Sequence, residues 1–273
     1  MRKKYQYLVI LPAVIFVIVA LFPVYWTLNT SIKTQAEVYL MRPALWPHSP
    51  TLNSYRSLIF ERHFLNNLRN SFFVSVIVAL LSVAVSSLAA YAFARLRFFG
   101  RRALGNSILY AYLMPRSVMF IPLYVLITNM GLQNTLVGLG WIYPTFTIPY
   151  ATWMLISYFR TIPIALEEAA KIDGCGRMRS LFQIVLPLAS PGIAATIIFS
   201  FTLCWSEYQY ALVTITSSVF KTLTLALSEM VVADVYAWGP LMAGSIIATL
   251  PVMLMYIVGS KQLVSGLTLG GVK

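Results

Sequence analysis

In 273 residues the chain carries 59% hydrophobic side chains and 10% charged ones, where a soluble domain devotes about a quarter of its residues to Asp, Glu, Lys and Arg. A mean hydropathy of +0.77 leaves more apolar surface than one globular core can hide, which excludes a soluble enzyme, a disulfide-rich secreted scaffold and a disordered chain. The 20 basic residues exceed the 8 acidic ones for a net charge of +12, an excess that in a membrane protein marks cytoplasmic loops rather than a nucleic-acid surface.

A helix that crosses the hydrocarbon core needs about 20 mostly apolar residues. Six segments meet that length. The first, residues 7–30, follows Arg2-Lys3-Lys4 and is too long for the apolar core of a signal peptide, with no small-residue cleavage pattern after it, so a retained helix is expected. The second, 70–94, contains the unbroken run Phe72 to Leu81, where a barrel strand would alternate. The cluster from Arg95 to Arg102 follows and is the firmest marker of an inner loop.

The third span, 103–128, is interrupted by Pro115 and Pro122; the fourth, 138–159, by Pro144 and Pro149; the sixth, 239–260, by Pro251. Proline removes a helical donor, and in lipid the freed groups need neighbouring helices or a water-filled cavity. The fifth span is 188–212. The fold class is therefore all-α and polytopic, one transmembrane domain over 1–273. With the N-terminus inside, 13 of the 20 basic residues fall on segments 1–6, 95–102, 160–187 and 261–273, so both termini are expected to be cytoplasmic.

Cys175 and Cys204 lack metal-like spacing, and His48 and His63 both fall in the first outer loop, so no metal site is expected. No Gly-rich Lys-Ser/Thr loop is present, so this chain is not expected to bind ATP or any other cofactor itself. The bases sit at membrane edges, so no nucleic acid partner is expected.

The longest inner segment, 161–187, predicts two short helices joined at a turn. Pro163 suits a helix start, Glu167 and Glu168 suit its first turns, and Gly174 suits its end. A second helix over about 177–185 stops at Pro187. The exposed face of such a knob mixes carboxylates, bases and apolar residues, as helix-in-groove docking requires. The spacing Glu168-Ala169-Ala170, Gly174, then Ile184, Leu186 and Pro187 resembles the EAA loop of permease subunits in binding-protein-dependent ABC importers. That resemblance implies a cytoplasmic coupling helix-turn-helix seated in a cleft of an ATP-binding subunit. Its coupling residues would be Glu167, Glu168, Ala169, Ala170, Asp173, Gly174, Ile184, Leu186 and Pro187. ATP and Mg²⁺ would then belong to the partner ATPase.

Further stretches are similar to the smaller six-helix permease of maltose-type carbohydrate importers. They include Trp26 with Asn29 to Lys33, Thr51 to Tyr55, Tyr91 to Arg95, Ile121-Pro122-Leu123 and Gly131 to Thr135. The tail carrying Gly266, Leu267, Thr268, Gly270 and Lys273 resembles the family's closing stretch, which implies contact with the ATPase dimer interface. The likeness implies a second permease chain, two ATP-binding subunits, an extracytoplasmic solute-binding protein and a prokaryotic inner membrane. Asp234, Tyr236 and Trp238 are candidate contacts for that binding protein or loop packing.

For the substrate pathway, Arg116 either contacts an acidic or polyhydroxyl substrate or bonds carbonyls freed at Pro115. Trp205, Glu207 and Tyr208 offer an aromatic platform beside a carboxylate, suited to a sugar, or interfacial anchoring with a Glu paired across helices. The expected substrate is a sugar or oligosaccharide. The alternatives are an acidic oligosaccharide or glycerol phosphate, or a stand-alone membrane enzyme or anchor.

Overall fold

In lipid, every backbone N–H and C=O must find its partner within the protein, so the apolar runs fold as helices. A computed structural model describes residues 2–232 and 235–262, excluding the side chains of 2–9, 232 and 235. In chain order the main helices are α1 (Arg2–Ser31), α2 (Phe64–Arg95), α3 (Arg101–Leu113) and α4 (Arg116–Asn129). Then come α5 (Leu136–Ile142), α6 (Pro144–Thr161), α7 (Ile164–Ile172) and α8 (Arg177–Leu188). Last are α9 (Ser190–Trp205), α10 (Gln209–Thr214) and α11 (Trp238–Val258).

Among the described residues α1 from Ile10 on, α2 and α11 are each long and apolar enough to cross a membrane, and two bent helix pairs pass the same test together. The expected third span is one such pair: α3 and α4 meet at 98°. The residue before a proline is pushed out of the helical region, and Met114 before Pro115 is extended at ψ 129. The expected fifth span, 188–212, is not continuous either: α9 starts at Ser190 after a 78° bend from α8, ends at Trp205, and helix resumes only at Gln209. The short helix expected to stop at Pro187 runs on to Leu188 and widens to a π turn over Leu181–Val185. Pro187 has no N–H for the Gln183 carbonyl, so the ladder must open there.

The described residues group into two compact units. The first takes in residues to Leu65 and Ala226–Pro251. There Leu58, Phe64 and Leu227 close over Gly244, where an added Cβ would stand 2.5 Å from Leu227. Val231–Val232 and Val235–Tyr236 pair antiparallel, Val231 opposite Tyr236, and the Tyr236 ring stacks on Trp238 at 4.9 Å. Lys33 is buried, with its ammonium 4.9 Å from the Trp26 ring and donating to the Ala44 carbonyl at 2.5 Å.

The second unit takes in Asn66–Leu225 and the residues from Val252. One apolar cluster gathers Val78, Ile142, Tyr143, Phe146 and Tyr210; another gathers Tyr91, Leu155, Phe159, Leu181 and Val185. Between α2 and α6 the contact is partly polar: the Ser82 and Thr147 hydroxyls bond at 2.7 Å, and Ser86 donates to the Ile148 carbonyl. These hydroxyls satisfy each other where water is absent.

Candidate coupling site

Pro163, at φ −59, presets the chain for α7. The helix ends after nine residues because Gly174 takes φ +80, open to glycine without strain. The Cys175 N–H donates to the Ala170 carbonyl at 2.8 Å and the Gly174 N–H to the Lys171 carbonyl at 3.1 Å, the paired closure of a Schellman motif. The start and stop expected from Pro163 and Gly174 are thus made by local backbone chemistry.

Only one side chain of α7 is buried, that of Glu167. Arg95, in the last turn of α2, donates from Nε to Glu167 Oε1 at 2.5 Å, and the Tyr91 hydroxyl donates to Oε2 at 2.9 Å. The same guanidinium reaches the Ile162 carbonyl through Nη2 at 2.7 Å. One side chain of α2 thus holds both the entry to α7 and its inward carboxylate. The Arg95 and Glu167 side chains are 7% and 4% exposed. Removing one partner of such a buried pair costs about 3–5 kcal/mol, because the other charge is left buried without a counter-ion.

Both carboxylates were expected in the first turns of this helix, and there they take different surroundings. Successive residues on an α-helix point about 100° apart. Glu167 turns inward, while Glu168 is exposed together with Ala169, Lys171 and Asp173. The exposed surface also carries Ile164, Leu166 and Ile172 from α7 and Met178 and Phe182 from α8. Ala170, Ile184 and Leu186 are half-buried beneath it, and Pro187 is exposed. The face left open is apolar with a charged rim, the composition of a docking surface.

A second polar cluster lies in the same unit. Arg116 opens α4, its guanidinium 4.5 Å from the Phe146 ring, and the Tyr210 hydroxyl donates to its carbonyl at 3.3 Å. Arg116, Tyr112, Thr145, Phe146 and Tyr210 line a cavity of about 120 Å³. Glu207 is buried beside it and accepts the N–H groups of Tyr210 at 2.9 Å and Ala211 at 3.3 Å, so its carboxylate caps α10. The Tyr143 hydroxyl and the Arg116 guanidinium are its other polar neighbours.

The expected open platform of Trp205, Glu207 and Tyr208 is not assembled. Trp205 is buried and stacked on Phe201 at 5.3 Å, Glu207 turns into its own helix, and Tyr208 points outward. The sequence reading missed Tyr143, Phe146 and Tyr210 here and the pairing of Arg95 at the coupling helix. The partners of Arg95 lie more than 60 residues away in sequence, so no local spacing could reveal them.

In the first unit a polar groove of about 340 Å³ runs past Lys33, Tyr39, Arg62 and Trp238. Beside it, burial works against the charge of Glu37, but the N–H groups of His48, Thr34 and Ser49 and the nearby imidazole hold its carboxyl below the ordinary range. Asp234 and the tail residues Gly266, Leu267, Thr268, Gly270 and Lys273 lie outside the described residues.

The family model for the binding-protein-dependent transport system inner membrane component matches residues 82–261. The inner membrane ABC transporter permease protein YcjP of Escherichia coli is 37% identical over 263 residues, covering 95% of this chain and 93% of its own. The trehalose/maltose transport system permease protein MalG of Thermococcus litoralis is 34% identical over 270 residues, covering 97% and 96%. The sulfoquinovosyl glycerol transport system permease protein SmoH of Agrobacterium fabrum is 34% identical, covering 96% and 92%. A crystal structure of a bacterial ABC transporter that imports the acidic polysaccharide alginate matches with a TM-score of 0.79 at 23% identity, over 95% of this chain and 96% of that one, a likeness of fold.

Proposed function

The chain belongs to the family of binding-protein-dependent transport system inner membrane components, and from that premise we propose that it forms half of the translocation pathway of an ATP-driven sugar or oligosaccharide importer. The sugar class is supported by relatives whose names carry trehalose/maltose and sulfoquinovosyl glycerol. In this reading the whole chain is one permease domain with six spans, residues 161–187 face the cytoplasm, and both termini lie on that side. Its partners are a second, different permease chain, two ATP-binding subunits that hold ATP and Mg²⁺, and an extracytoplasmic solute-binding protein. The groove beside Tyr39 and Trp238 suits that last partner.

The observation that carries the mechanism is the tie from Arg95 to both Glu167 and the Ile162 carbonyl. Closure of the ATPase dimer displaces the exposed face around Glu168, Ile172 and Met178. The displacement reaches α2 through a charge-assisted bond in a buried setting, where such bonds are strongest. α2 then moves with α7 rather than sliding past it. Glu168, Ala169, Asp173 and Gly174 are the residues of the docking side, and Ile184, Leu186 and Pro187 shape its base. The C-terminal tail meets the ATPase dimer interface.

A second reading keeps the importer and changes the cargo to an acidic oligosaccharide or glycerol phosphate. It is favoured by Arg116, whose guanidinium lines a cavity while the nearby Glu207 spends its charge on α10. Co-purification with a P-loop ATPase, followed by ATP hydrolysis stimulated by a loaded binding protein, tests the class. Neutral against acidic sugars in the same assay separates the cargoes. Recovery of the chain without any ATPase would overturn both readings.

A further inference from the structure

We propose that the basic cavity where α2 ends and α3 begins binds the phosphate headgroup of an anionic phospholipid. The cavity, of about 860 Å³, lies among the last turn of α2, the first turns of α3 and the last turns of α6. Arg101, Arg102 and Arg160 line it together with Asn106, and no carboxylate does. Among the described residues none of the three arginines has a carboxylate within 4.0 Å, whereas Arg95 nearby is fully paired. Three guanidinium groups gathered without a counter-ion repel one another, and their field is satisfied by an incoming anion. No side chain caps the N-terminus of α3; the Arg101 N–H is taken by the Phe98 carbonyl, and the N–H groups of Arg102 and Ala103 add to that field.

The rest of the wall selects among anions. Phe93, Leu109, Trp153 and Ile156 form an apolar side, which free phosphate would leave wet and an acyl chain would cover. Beyond the cavity α3 goes on to expose Tyr110 and Leu113, apolar surface on which an acyl chain can lie. Arginine forks match phosphate oxygens in pairs. Basic pockets between membrane helices at the cytoplasmic leaflet are the sites where anionic headgroups bind. The inference rests on the proposed topology, which puts this end of α2 on that leaflet.

The test uses the assembled importer in nanodiscs of equimolar phosphatidylglycerol and phosphatidylcholine, with retained lipid read by native mass spectrometry. The parent should retain phosphatidylglycerol several-fold over phosphatidylcholine. The triple substitution Arg101→Gln/Arg102→Gln/Arg160→Gln should abolish that preference, while Arg42→Gln, on an exposed loop of the other unit, should keep it. Equal retention of both lipids by the parent overturns the inference, and that comparison needs no variant to fold. Displacement of phosphatidylglycerol by millimolar inorganic phosphate would identify a soluble anion as the ligand and also overturn it. Stimulation of ATP hydrolysis by the binding protein, measured on the same preparation, reports on the transport reading separately. Intact stimulation with no lipid preference would sink this inference alone.

Discussion

Glu167 and Glu207 are both buried, at 3% and 5% exposure, yet they are satisfied in opposite ways. Glu167 on α7 takes its bonds from Arg95 and Tyr91 on α2, more than 70 residues away. Glu207 takes its main bonds from the N–H groups of Tyr210 and Ala211, three and four residues on, with the Tyr143 hydroxyl and the Arg116 guanidinium beside it. A carboxylate held by a distant helix ties two bodies, so a displacement of one is felt by the other. A carboxylate held mainly by its own next turn chiefly fixes the shape of that turn. Under the proposed function, this contrast gives Glu167 a part in transmission and Glu207 a part in local shape.

The largest effect should come from leaving one member of the tie alone. Arg95→Gln or Glu167→Ala should destabilise the permease by about 3–5 kcal/mol. Thermal unfolding of the complex measures the loss, and substrate-stimulated ATP hydrolysis should collapse in parallel. Next is Gly174→Val, which forces a branched side chain into the left-handed region at about 1–2 kcal/mol. Gly174→Asn should cost less, since Asn tolerates that region, and coupling measured as ATP hydrolysed per sugar moved should follow the same order.

Removing the cap by Glu207→Ala should cost about 0.5–2 kcal/mol, with Glu207→Gln retaining part of it. A rise in the apparent KM for sugar with no change in stability would instead make Glu207 a cargo contact and break the comparison. Glu168→Lys is exposed and should leave thermal stability within about 0.5 kcal/mol of the parent. It should still weaken co-purification of the ATPase, which sharpens the division between the inward and outward carboxylates of α7.

The smallest effect concerns Glu37. Its carboxyl is held below the ordinary range, so its contribution to ordering the loop after α1 is present at neutral pH. That contribution is lost as the pH falls below about 4.3 and through the lowered folded value. Hydrogen exchange at the His48 and Ser49 amides should speed up over that window, while the Glu37→Gln variant should change less.

Much of the coupling segment was legible because its signals are local. Pro163 and Gly174 act on their own φ angles, and the motif at Ala170 to Cys175 closes within six residues. The inward turn of Glu167 was not legible, because its cause is Arg95, which in the sequence reads as one more base in a cluster marking an inner loop. Pro115 marked where one helix breaks, while the other break falls two residues after Pro187, and the bends of 98° and 78° depend on what each half packs against. At Trp205 to Tyr208 the pattern suggested a sugar platform because aromatic and acid are adjacent. The backbone leaves the helix there, so neighbours in sequence point to different surroundings.

The most direct test of transmission through Arg95 and Glu167 is a double-mutant cycle on binding-protein-stimulated ATP hydrolysis, with Arg95→Gln, Glu167→Gln and the pair together. If the two side chains act as one tie, the double variant should lose no more coupling than the worse single variant, a non-additivity expected of groups in contact. If the losses multiply as independent effects, or if either single variant couples as the parent does, motion enters the membrane by another route.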